Sequence, residues 1–228
     1  GGAGTDYLEI TAAVTANSAG DVVSEFEALT IDGSFNQDLA KFGNNTFTFV
    51  NQGGSTSAVS GVVSEEIILK TALGGASSAA LKTDTGTSDS IKIRLENAAS
   101  EDFEQVYTVA GVETINIETK NSAAAPADTT MSFDLAAAAA TTLSLTGNSG
   151  INFLRDAADN TTAVTTLDAS GMSIIKDTYA GVTYASTNAT ANAAVTMTGS
   201  GGVDTLTGGS TTNDTISGGA GVDTITYL

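Results

Sequence analysis

The stretch GSGGVDTLT-GGSTTNDTIS-GGAGVDTITYL, residues 199–228, decides the fold. It divides into three units, each a glycine-rich turn, an aspartate (Asp204, Asp214, Asp223), a threonine and a large aliphatic residue (Leu206, Ile216, Ile225). A fourth copy opens the chain as GGAGTDYLE, with Asp6 and Leu8 in the matching places. Threonine and aliphatic residues favour extended backbone, and glycine supplies the positive φ that a tight corner demands. Strand and corner alternating at intervals of nine or ten residues predict stacked coils of a β-solenoid.

Working outward, the same rhythm extends back to residue 129. TTMSFDL, TTLSLTGNSG, TTAVTTLDASG and VTMTGSGG each read as a short Thr-rich strand, most of them closed by a Gly-containing turn. Earlier strand candidates are FEALTIDG (26–33), TFTFV (46–50), EIILK (66–70) and IKIRL (91–95), each with apolar and polar residues in alternation or an apolar run bounded by turn formers. VETINIE (112–118) echoes FEALTIDG: both copies open on an apolar residue and a glutamate, Phe26-Glu27 and Val112-Glu113. FNQDLAKF (35–42) places Phe35, Leu39 and Phe42 on one face and predicts two helical turns, whereas LAAAAA (135–140) is too short to hold a helix unaided. The prediction is an all-β chain, a strand-rich β-solenoid flanked by parallel β-roll repeats. Its segments are the end of a repeat array (1–9), a β-rich module (10–128), an irregular solenoid (129–198) and a regular array (199–228).

Composition narrows the chemistry. The 228 residues carry 26 acidic and 8 basic side chains, a formal net charge of −18. That balance repels phosphates and excludes nucleic acid as a partner. No apolar run is long enough to span a bilayer, so membrane insertion is not expected. With neither His nor Cys, zinc-protease motifs, Ser-His or Cys-His nucleophiles and disulfides are all impossible. The chain is read as non-enzymatic, the alternative being carboxylate-only catalysis in a polysaccharide-modifying enzyme.

Calcium is the cofactor this pattern fits. It takes six to eight oxygens at roughly 2.3–2.6 Å, from carboxylates and backbone carbonyls. A turn such as GGAGVD offers both. The candidate ligands are the carboxylates of Asp6, Asp204, Asp214 and Asp223 and the backbone carbonyls of Gly199, Gly201, Gly208, Gly218 and Ala220. The middle unit, GGSTTND, departs from the pattern by one insertion, and Asn213 stands there as an oxygen donor or as a residue tolerant of left-handed backbone. Asp32, Asp134, Asp156, Asp159, Asp168 and Asp177 are read as solvated turn residues. Three aliphatic side chains are a thin core for so long an array, so its folding is expected to depend on metal.

The pattern G-G-x-G-x-D-x-U-x, with U a large aliphatic residue, resembles the nonapeptide of repeats-in-toxin (RTX) proteins. The resemblance implies two units per coil, with turns two units apart stacked on one edge, Asp204 with Asp223, and Asp214 on the opposite edge. The run GVETINIE, TLSLTGNSGINF, TTLDASGM and the terminal array is similar, over roughly residues 105–228, to calcium-dependent surface-layer proteins of Gram-negative bacteria. That implies type I export, an extracellular location on the cell surface and calcium-dependent self-association into a lattice, with cell-surface polysaccharide as a further candidate partner. The stalk of an RTX adhesin is the alternative.

Overall fold

A computed structural model describes residues 3–15, 24–43, 45–53, 57–125, 127–153, 161–188, 193–209 and 213–228. Gly1, Gly2, Asp156, Asp159 and residues 210–212 lie outside the described residues. Among the described residues there are nineteen strands. The first seven are β1 (Tyr7–Ile10), β2 (Ala28–Ile31), β3 (Gln37–Asp38), β4 (Phe49–Gln52), β5 (Ala58–Val62), β6 (Glu66–Leu69) and β7 (Ser77–Leu81). The middle of the chain forms β8 (Ser90–Asn97), β9 (Glu101–Val109), β10 (Thr114–Asn121), β11 (Thr130–Ala136), β12 (Thr142–Gly147) and β13 (Gly150–Phe153). The last six are β14 (Thr166–Met172), β15 (Ala180–Ala185), β16 (Thr196–Thr198), β17 (Val203–Thr207), β18 (Thr215–Ser217) and β19 (Thr224–Thr226).

These strands form two parallel sheets. β1 and the even-numbered strands make a ten-stranded sheet in the order β1-β2-β4-β6-β8-β10-β12-β14-β16-β18, and the odd-numbered strands from β3 to β19 make the nine-stranded partner. From β2 onward the chain alternates between sheets, so two strands complete one coil and each strand pairs with the one two places on. The fold is the expected all-β solenoid. Both sheets run without a break past residues 128 and 198.

Alternation along each strand sends every second side chain inward, and parallel register stacks like upon like. In the ten-stranded sheet, Leu29, Val50, Ile67, Ile93, Ile117 and Leu145 form one inward row, and Ile91, Ile115, Leu143, Leu167, Met197 and Ile216 form another. Across the core, Phe103, Phe133 and Phe153 are in register on β9, β11 and β13. One polar break in the core is satisfied within it. The Tyr107 hydroxyl, fully buried, donates to Gln52 Oε1 at 2.6 Å, and the Gln52 amide donates to Ser57.

Outside, Arg94 on β8 holds Glu66 on β6 and Glu118 on β10, the latter at 2.9 Å, a cross-strand cluster on a half-buried face. Burial pushes the Glu66 carboxyl above the usual carboxylate range, against the pull of the Arg94 charge.

Helix is scarcer than the periodicity predicts. Residues 35–42 give the short strand β3 and a single 3-10 turn, Leu39–Phe42, capped by Asp38, whose carboxylate accepts the Ala40 N–H at 3.0 Å. Tertiary pairing overrides the local pattern here. Gln37 and Asp38 complete a strand against β5, and the buried Gln37 side chain exchanges hydrogen bonds with the Val14 backbone. Leu135 and Ala136, from the alanine run, extend β11.

Corners are where the chain is least free. Gly147 closes β12 at φ +113°, and a Cβ there would run into the Thr119 carbonyl, which accepts the Asn148 N–H at 2.9 Å. Gly147→Ala must therefore open the corner as well as strain the backbone. A loss of more than about 2 kcal/mol is expected, read as a lower denaturant midpoint at unchanged slope.

Candidate metal centre

The terminal units meet as coils. Thr205, Leu206 and Thr207 pair with Thr224, Ile225 and Thr226, which lays the turn 218–223 directly on the turn 199–204. The spacing is 19 residues per coil, two units and one extra residue. Leu206 is fully buried, whereas Ile225, in the last coil, is 38% exposed.

The two aspartates of this edge are brought together. Asp223 Oδ1 accepts the N–H of Asp204 at 3.1 Å. Asp204 is itself fully buried. Its Oδ1 accepts the Val182 N–H at 2.5 Å and the Ser200 hydroxyl at 3.0 Å, and its Oδ2 accepts the Ser200 N–H at 2.9 Å. Burial raises the Asp204 pKa, the negative charge of Asp223 adds to that rise, and the hydrogen bonds from Val182 and Ser200 oppose it.

Backbone oxygens crowd the same contact between turns. The Ser200 carbonyl accepts the Ala220 N–H at 3.3 Å. A side chain at Gly199 would strike the Gly218 carbonyl and Asp204 Oδ2, and one at Gly221 would strike the Gly202 carbonyl. Glycine is required because carbonyls of one turn press on the Cα of the next. The result is a close contact between two turns that holds two carboxylates and the carbonyls of Ser200, Gly202 and Gly218. These are hard oxygen donors of the kind calcium takes, and their number falls in the range one ion uses. Among the described residues no three acidic side chains converge, so any site here draws on the backbone for most of its ligands. Gly201 faces open space and Ala220 is exposed on the outer turn.

Asp214 lies on the other edge, before β18. Its Oδ1 accepts the Val195 N–H and its Oδ2 the Gly209 N–H, at 2.9 and 2.8 Å. A Cβ on Gly208 would meet Asp214 Oδ2. The register of β16 with β18 puts Val195 beneath Asp214, so the coil below offers no second carboxylate at that place. Asn213 adopts φ +80°, the left-handed conformation in the irregular unit. Asp6 sits on the same edge at the far end of the sheet. Its N–H donates to Glu27 Oε2 at 2.8 Å and its carbonyl accepts the N–H groups of Glu27 and Ala28.

A common device links these positions. An acid just before or at the start of a strand accepts the N–H of the residue at the equivalent place one coil below. Asp204 does so on Val182, Asp214 on Val195, Asp223 on Asp204, Glu27 on Asp6 and Glu113 on Asp89. This accounts for the paired glutamates of the two echoing segments.

No family model matches the chain, and no curated protein aligns with it. Ser200, Gly202 and Val182 are absent from the ligands expected from the sequence, and Gly202 stands one place after the expected Gly201. Ser200 had a signal, since it stands where the second glycine of the unit is expected. Val182 had none, because its place beneath Asp204 depends on how the irregular turn 173–179 is threaded.

Proposed function

We propose that the chain is a non-catalytic, extracellular, calcium-binding structural module of a surface-layer protein. The observation that carries this is the stacking of the turn 199–204 under the turn 218–223, with a buried carboxylate in one and a second carboxylate directly above it. In this reading, resemblance of the units to RTX nonapeptides supplies the metal and the setting. Asp204 and Asp223, with the carbonyls of Ser200, Gly202 and Gly218, hold calcium between coils. Calcium would neutralise two carboxylates that burial and mutual repulsion otherwise disfavour. Among the described residues no helix is long and apolar enough to cross a membrane.

Two sheets of parallel strands give such a module broad faces for lateral contact. Addition of millimolar calcium to the purified chain is expected to produce ordered two-dimensional sheets, visible by negative-stain microscopy and dispersed by chelator. A monomer throughout the calcium titration would sink the lattice. The second reading, the stalk of an RTX adhesin, draws support from the rod-like ladder. Ten strands at about 4.8 Å per step span roughly 43 Å in this segment alone. That reading requires near-identical tandem copies in the full-length gene.

A further inference from the structure

Loops of unequal length stack on one edge of the solenoid. The β3–β4, β5–β6 and β7–β8 connections follow one another there, because β3, β5 and β7 are neighbours in one sheet and β4, β6 and β8 in the other. The flanking two are long, residues 39–48 and 82–89, whereas the middle one is only Val63–Glu65. A short loop between two long ones leaves a notch. It holds two clefts, of about 300 and 310 Å3, and Val63 and Lys82 line both. Each lies at the lower end of the range for ligand pockets, about 300–1,000 Å3.

The groups that line the notch are open to solvent. Val63 is 64% exposed, a large aliphatic side chain on a polar loop. Lys82 is exposed too, and so are Ser88 and Ser90 along the second cleft. The acids here are already engaged. Glu65 is buried, and its Oε2 accepts the N–H groups of Val63 and Ser64 at 2.6 and 3.0 Å. Asp89 Oδ2 accepts the Gly86 N–H at 3.0 Å. Carboxylates hold Lys41, Arg94 and Lys120, but among the described residues Lys82 forms no ion pair. Lys92, just beyond Ser90, is in register with Glu66.

We propose that this notch binds the carboxylate end of a small aliphatic molecule. The Lys82 ammonium pairs with the carboxylate, a charge-assisted bond stronger than a neutral one. The Ser88 and Ser90 hydroxyls of the same cleft supply further donors. Val63 and the Lys82 stem cover the hydrocarbon next to the carboxylate. One free ammonium among Glu65, Asp84 and Asp89 fits a single negative charge. A phosphate dianion or a polyacid adds repulsion without a further cation to meet it. Two sources present such a group: a free aliphatic acid, and the carboxyl end of a peptide that finishes in an aliphatic residue. The notch lies in β3–β8, away from residues 199–228 in both sheets, and does not depend on calcium there.

The test is amide chemical-shift mapping on the full chain, with hexanoate and N-acetylleucine as probes of the two sources. At least one is expected to shift the amides of Val63, Ser64 and Lys82 in a saturable way, and the tighter of the two names the source. Hexanamide, which lacks the charge, and inorganic phosphate, which lacks the hydrocarbon, are expected to leave them in place. Lys82 and Val63 are exposed, so replacing either spares the fold. Lys82→Gln is expected to weaken binding about tenfold and Val63→Ser about threefold, whereas Lys82→Arg retains it. Replacing Asp204 and Asp223 is expected to leave it unchanged, which separates this site from the calcium reading. Absence of shifts with both carboxylates overturns the proposal. So does native affinity in Lys82→Gln, or binding of hexanamide or phosphate as tight as that of the carboxylates.

Discussion

Replacing Asp204 and Asp223 together by alanine is expected to abolish the calcium response of the terminal coils. In the native chain, calcium at about a hundred times its dissociation constant adds roughly 2.7 kcal/mol for one site. In the double variant it should add nothing at this edge. Calorimetric titration and circular dichroism at several calcium concentrations check both halves of that statement. Native-like calcium stabilisation in the double variant contradicts the site. The variant also loses stability without metal, since the Val182 and Ser200 N–H groups that Asp204 accepts are buried with it. Each buried donor left unpaired costs about 1–3 kcal/mol. Asp204→Asn separates the two effects, because an amide keeps one acceptor oxygen and drops the charge.

Protons compete with calcium at this position. The folded-state pKa of Asp204 is raised by burial, so its protonated form suits the metal-free fold better than the ionised form. Its contribution to calcium-free stability is present below the ordinary carboxylate range and is lost as pH rises through the raised value. Calcium reverses the preference. Stability in chelator is therefore expected to fall between acid and neutral pH by more than it does in calcium, a difference that Asp204→Asn should erase.

Phe133→Ala is expected to cost about 3–5 kcal/mol. Phe133 is fully buried on β11, in register with Phe103 below and Phe153 above, and its ring lies 5.9 Å from that of Tyr107. In a stack where each coil touches only its neighbours, a cavity in the middle weakens the coupling of everything on either side. Hydrogen exchange should show protection falling in β9 and β13 as well as β11. Ile225→Ala, at the exposed end, is the control and should cost less than about 1 kcal/mol. Equal losses at the two positions would contradict the core described above.

Much of this was legible in the residues. IKIRL and EIILK became β8 and β6, and the terminal spacing brought Asp204 under Asp223. TFTFV was half right. Phe49 and Val50 enter β4, while Phe47 is spent in the corner, packed edge to face on Phe42 at 5.1 Å. Alternation tells which side chains turn inward, but not which strand lies beneath. Before residue 199 the coil length varies, reaching 31 residues between Ile151 and its partner Val182, so no fixed period announces the stacking. The same irregularity hid Val182. The 35–42 segment misled because Leu39 and Phe42 do share a buried face, though over a single 3-10 turn.

The acids at the strand starts bear on how the stack can be assembled. Asp204 grips Val182, Asp214 grips Val195, Asp223 grips Asp204 and Glu113 grips Asp89: in each case the later residue reaches back to the earlier one. Each of these latches joins two neighbouring coils, so it closes as soon as both are present and needs no third. Chain that arrives gradually from either end can therefore be secured one coil at a time.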